Sequence, residues 1–296
     1  MTVRVAYIGC VAMSHVLLDR LLDLPDASLV GVVTRQRSPA NSDFVSLADL
    51  AERSQAPVHF ADDGHQRTMA EFLLRTRPDV TFCFGWSKLL NPEILSIAPL
   101  GTIGFHPAAL PANRGRHPLI WALALGLEET ASTFFAMDIG ADSGAIVDQR
   151  PIAIAPTDYA ADLYAKVAAV ARDQLTGVVN ALAHGRLPIR PQNGALTNHW
   201  RKRTAVDGAI DWRMSARSIY NLVRALSRPY PGAHCTSATG PVKVWRTEIG
   251  PAGAGNLEPG KILGAEGNAF LVKCGEGTLR VTEHEFSPVP SEGSYL

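Results

Sequence analysis

The chain has 296 residues, 46% of them hydrophobic and 19% charged, a globular composition with room for a sizeable core and two domains. Its 28 basic and 28 acidic side chains cancel, which argues against holding nucleic acid through a generally basic surface. No apolar run approaches membrane-spanning length. Four widely spaced cysteines, Cys10, Cys83, Cys235 and Cys274, form no CxxC pair, so a reducing, cytoplasmic setting is expected.

"VRVAYIG" (3–9) carries a single early cation, Arg4, and reads as a first buried strand, not as a signal peptide. "SHVLLDRLLDL" (14–24) has apolar residues at helical spacing, with Ser14 placed to cap it, and "SLVGVVT" (28–34) is a second β-branched strand. The alternation continues with helix 47–55, strand 57–60, helix 66–77 and strand 78–85. "LGTIGF" (100–105) makes a further strand, with His106 at its carboxyl end. Helix 118–127, strand 130–138, a turn and strand within 140–154, and a long helix over 157–185 capped by Thr157 and stopped by Gly185 complete a first domain, 1–185. Strands alternating with helices imply an α/β, Rossmann-like, mostly parallel sheet with helices on both faces.

Residues 186–208 are polar and without sustained periodicity, and read as a linker. Beyond them, 209–296 offers one helix (215–226) and short strands near 242–247, 269–274 and 278–285, a small, mainly β C-terminal domain.

Parallel sheets bind ligands outside the carboxyl ends of their strands, and His106 stands at one. The chain stiffens at once after it through Pro107 and Pro111, then runs into Asn113, Arg114, Arg116 and His117. Thirty-six positions after His106, "GADSG" brings Asp142 to the end of the next strands. A carboxylate beside an imidazole fixes its tautomer and favours its charged form, which suits proton transfer. No zinc-ligand spacing, nucleophile elbow or GxGxxG turn is present, so no metal is expected and a dinucleotide reading is weak.

"GFHPAALPANRGRHPLIWAL" together with "TASTFFAMDIGADSGAIVDQRPIAI" resembles the catalytic domain of the 10-formyltetrahydrofolate-dependent formyltransferases. That family includes methionyl-tRNA formyltransferase and the sugar N-formyltransferases. The resemblance spans about 1–185, and "DGAIDWRMSARSIYNLVRALSRPYPGAH" looks like the start of the family's small C-terminal domain. It implies that His106 is the catalytic histidine, Asp142 the catalytic aspartate and 10-formyltetrahydrofolate the formyl donor. The family's asparagine two residues before the histidine is Gly104 here, so backbone N–H groups, a water or Asn113 would hold the oxyanion in its place.

By the same resemblance, Trp86, Leu89 and Leu90 in "CFGWSKLLNPEIL", with Met137, Asp138 and Gly140 in "MDIGAD", flank the pterin. Arg114 and Arg116 would meet an anionic acceptor such as a diphosphate. His15 and Asn41, on earlier strand-end loops, lie where a nucleotide-sugar would extend. The expected reaction is formyl transfer to the primary amine of a nucleotide-linked amino sugar, and the neutral net charge argues against tRNA as the acceptor. Methionyl-tRNA formyltransferase and, because of Gly104, a non-catalytic folate- or nucleotide-binding protein stay open, as does a homodimer.

Overall fold

Residues 3–153 form Val3–Ile8 (β1), Ala27–Thr34 (β2), Val58–Phe60 (β3), Val80–Phe84 (β4), Thr102–His106 (β5), Arg114–Gly115 (β6), Glu129–Ala136 (β7) and Ile146–Ala153 (β8), all but the two-residue β6 carrying β-branched or aromatic residues. A computed structural model describes residues 2–38, 42–61, 65–237, 240–252 and 255–296. Two units emerge, one of Met1–Pro118, Thr130–Ile152 and Ala165–Trp200, the other of Leu119–Glu129, Ala153–Tyr164 and Arg201–Leu296.

The first unit is built on a seven-stranded sheet in the order β3-β2-β1-β4-β5-β7-β8. β1 to β5 pair in parallel, and β7 runs antiparallel to β5, with His106 opposite Thr133 and Gly104 opposite Phe135. Helices Ala12–Leu22 (α1), Ala48–Arg53 (α2), Gln66–Thr76 (α3), Pro92–Leu95 (α4), Pro118–Ala124 (α5) and Ala160–Ala183 (α6) separate the strands.

Period-2 alternation assigns the strand side chains to two faces. Ala6, Ile8, Val33 and Cys83 pack with Met69, Phe72 and Leu73 of α3 and Ile94 of α4. Tyr7, pointing the other way, donates to the Ser14 carbonyl of α1 at 2.8 Å. On that second face Gln174 of α6 donates to the Ser132 carbonyl, and Arg20 of α1 meets Thr176 of α6. Helices therefore cover both faces, as expected.

Two local expectations change. Ser14 is the third residue of α1, not its cap; its hydroxyl accepts from Val11 N–H and donates to the Phe84 carbonyl. Helix α6 begins at Ala160, past Thr157, and the Asp162 carboxylate takes the Tyr159 N–H. In both cases a carboxylate or hydroxyl inside the first turn supplies the acceptor that the start of a helix lacks. The short α4, which the sequence reading did not mark, is started by Asn91, which accepts from Ile94 N–H, and by Pro92 at its first position.

Residues 186–200 hold to the first unit. Arg190 exchanges both backbone hydrogen bonds with Ile146, and His199–Trp200 (β9) pairs in parallel with β6. Gly115 permits that close approach: its φ is +105°, and a Cβ there would stand 2.3 Å from the Trp200 carbonyl oxygen.

In the second unit, Ala233–Ser237 (β10), Gly240–Ile249 (β11), Ile262–Glu266 (β12), Ala269–Lys273 (β13) and Thr278–His284 (β14) form an antiparallel sheet in the order β10-β11-β14-β13-β12. Helix Ala216–Leu226 (α7), capped by Ser215, lies against β11 and β14 and buries Ile219 and Val223, and Val244 of β11 and Val281 of β14 are buried as well. No helix among the described residues is long and apolar enough to cross a membrane.

Candidate active site

His106 ends β5 on the same face as Gly104, and it is 5% exposed. Its Nε2 lies 2.8 Å from the backbone carbonyl of Asn113. A carbonyl only accepts, so Nε2 carries the hydrogen and the neutral ring keeps its lone pair on Nδ1. Nδ1 faces Asp142 Oδ1 at 3.8 Å. That is longer than a hydrogen bond but an ion-pair distance once the ring takes a second proton.

The partnership is made by two loops, where adjacent ends of parallel strands were expected. Because β7 is antiparallel to β5, its carboxyl end lies beside the start of β5, where Met137 N–H donates to the Thr102 carbonyl. The loop after β7 carries Asp142 with a φ of +55°, and Asp142 Oδ2 accepts the Gly115 N–H at 2.8 Å. The loop after β5 thus grips the carboxylate through a backbone amide.

Asn113, with φ +63°, contributes its backbone on both sides: its carbonyl takes His106 Nε2 and its N–H donates to Asn198 Oδ1 at 2.6 Å. Its side-chain amide has no hydrogen-bond partner among the described residues. Arg114 spends Nε and Nη2 on Gln192 Oε1, at 3.2 and 2.6 Å. Arg116 Nη1 donates to the Ser87 carbonyl at 2.9 Å, tying the loop after β5 to the loop after β4.

That second loop holds Trp86, Leu89 and Leu90. Leu90 is 4% exposed and belongs to the core under α3 and α4, with Trp86 and Met137 packed against it. Leu89 is 56% exposed, and Gln66 clamps the loop by donating to the Leu89 carbonyl and accepting from Asn91 N–H. Asp138 Oδ1 accepts from Gly140 N–H and Ser143 Oγ, which closes the 138–143 turn. Ile139 beside it is 72% exposed.

His15 Nε2 sits 2.9 Å from Asp49 Oδ2, a contact between α1 and α2. Burial pushes the Asp49 carboxyl up, but the His15 hydrogen bond and local backbone N–H groups together leave it below the usual carboxylate range. Asn41 lies outside the described residues. Among those described, no three His, Cys, Asp or Glu side chains cluster as a metal site would require.

Sequence reasoning did not single out Gln192, Asn198 or Arg35. Arg35, just past β2, lays its guanidinium 5.0 Å from the Trp86 ring centroid. None of the three belongs to a periodic segment or a motif, so only the tertiary contacts reveal them.

Comparison with known proteins places this geometry in context. A model of the formyl transferase family matches residues 12–179, and one of the formyl transferase C-terminal domain matches 202–289. Among solved structures, a multiply substituted HypX from Aquifex aeolicus is 18% identical, with a TM-score of 0.67 over 96% of this chain. This chain spans only 44% of the length of that HypX chain. An N-formyltransferase from Helicobacter canadensis, in complex with folinic acid and dTDP-3-aminofucose, is 15% identical with a TM-score of 0.72, covering 96% of this chain and 100% of that one. WlaRD, a sugar 3N-formyl transferase seen with dTDP and 5-N-formyl-THF, is 16% identical with a TM-score of 0.69, covering 96% and 98%. At such identities the likeness is one of fold.

Proposed function

The chain belongs to the formyl transferase family, and we propose that it moves the formyl group of 10-formyltetrahydrofolate to the primary amine of a nucleotide-linked amino sugar. The observation that carries this reading is the buried imidazole of His106, tethered through Nε2 and facing the Asp142 carboxylate with Nδ1. Such a pair suits a general base that must hold a proton for one step and return it in the next.

As the amine attacks the formyl carbon, its N–H bond breaks and His106 receives the proton at Nδ1. Asp142 stabilises the resulting imidazolium. The formyl oxygen gains negative charge, and the side-chain amide of Asn113, which has no hydrogen-bond partner among the described residues, donates to it. His106 then returns the proton to the departing nitrogen of the donor, restoring the neutral ring.

Trp86, Leu89 and Leu90 on one loop, with Met137, Asp138 and Gly140 on the other, form the donor side. The exposure of Leu89 and Ile139 supports this, since two large apolar side chains left in water gain by covering a flat heterocycle. Arg114 and Arg116 form the acceptor side, with His15 in the first turn of α1 extending it. An acceptor carried by a nucleotide accords with the dTDP-linked ligand of the Helicobacter canadensis neighbour. A cytoplasmic setting accords with four buried cysteines that form no disulfide among the described residues.

The test is a screen of amino-sugar nucleotides with 10-formyltetrahydrofolate, read by product mass gaining one formyl group. Formylation of charged initiator tRNA in place of any sugar would transfer the activity to tRNA. Tetrahydrofolate binding with no formylated product on any amine would leave a folate-binding protein.

A further inference from the structure

The two family models stop at residue 179 and resume at residue 202, so neither gives a part to the segment between them. From its contacts we propose that Gln192 is a positioning residue of the active site, fixing the acceptor-side Arg114 and the Asp142 loop against each other. This rests on the reading of Arg114 as an acceptor-binding residue.

The Gln192 carboxamide reaches both sides at once. Its Oε1 accepts from Arg114 Nε and Nη2, and its Nε2 donates to the carbonyls of Asp142 at 2.9 Å and Gly144 at 2.6 Å. A carboxamide offers this combination, an oxygen that accepts twice and a nitrogen with two N–H groups. The reverse flip would set N–H against guanidinium and oxygen against two carbonyls, so the network itself fixes the orientation.

The backbone that carries Gln192 is anchored on either side. Arg190 exchanges two 2.8 Å bonds with Ile146. Asn198 holds the Asn113 N–H, and β9 pairs with β6. Two consequences follow for the site. Arg114 cannot swing, so its Nη1, which has no partner among the described residues, is presented to an anion without the entropy cost of ordering a free arginine. Asp142 adopts a left-handed backbone that is uncommon for a non-glycine residue, and the bonds to its own carbonyl and that of Gly144 hold it there.

The test compares Gln192→Ala, Gln192→Glu, Arg114→Ala and the double variant Gln192→Ala/Arg114→Ala. Read-outs are kcat, the KM of each substrate with the acceptor found in the screen, and the Kd of UDP and dTDP. Gln192→Ala should raise the acceptor KM and the nucleotide Kd by about tenfold, as expected when one partner of a charged hydrogen bond is removed, with the donor KM unchanged. The double variant should bind acceptor no worse than Arg114→Ala, because Gln192 acts on the acceptor through that arginine. Gln192→Glu keeps an acceptor for Arg114 but turns a carboxylate on two carbonyls. It should therefore lower kcat while leaving the acceptor KM near wild type.

A merely structural glutamine would lower Tm without producing this split. Wild-type kcat and acceptor KM in both Gln192 variants would overturn the proposal, as would additive effects in the double variant. An unchanged acceptor KM in Arg114→Ala would instead overturn the acceptor reading of that arginine.

Discussion

Gly104 lies directly under the Phe135 ring: a Cβ at position 104 would stand 2.7 Å from Phe135 Cζ and 2.9 Å from Met137 Cγ. The two residues are paired across β5 and β7, and Phe135 is buried. The space in which the family's asparagine would project is occupied by an aromatic side chain. The glycine thus leaves the room that the phenylalanine ring fills.

Restoring the asparagine should therefore not help. Gly104→Asn is expected to give no gain in kcat and to lower Tm, since over-packing a buried position costs roughly 1–3 kcal/mol. Thermal melting and steady-state rates check this together. A tenfold or greater rise in kcat would mean that the pocket accommodates the side chain and that the site is only impaired.

His106→Ala and Asp142→Asn should each reduce kcat/KM by about a hundredfold or more, the usual contribution of a general acid–base group. Circular dichroism should show both variants folded. A correctly folded variant that retained a tenth of wild-type activity would remove that residue from the proton-transfer step.

Asn113 has two separable parts, a backbone that holds His106 and a side-chain amide with no hydrogen-bond partner among the described residues. Asn113→Gly preserves the left-handed backbone while deleting the amide. We expect kcat to fall by about a hundredfold with little change in either KM, the behaviour of a donor that acts in the transition state. Wild-type kcat in this variant would confine Asn113 to shaping the loop.

Alanine at Arg114 or Arg116 should raise the acceptor KM and leave the folate KM close to wild type. The Arg116 bond to the Ser87 carbonyl sets up the contrary outcome. Loss of donor affinity in Arg116→Ala would place that arginine with the folate loop, which steady-state titration of each substrate would show.

Short-range pattern alone specified much of this protein. Apolar alternation and β-branched runs marked the strands, and helical spacing marked α1, α3, α6 and α7, because both periods follow from local backbone geometry. An apolar strand ending in histidine and proline was enough to put His106 at a carboxyl edge. The direction of β7 was not readable, since a strand's own residues look the same whether its neighbour is parallel or antiparallel. Nor was the place of 186–200: its residues have no periodicity, and it is held by side-chain bonds to positions 78 and 85 residues away. The loss of the asparagine at 104 was visible as a gap, but its filling by Phe135 depended on strand register. Long-range pairing decides such things, and it becomes definite only once the sheet has closed around them.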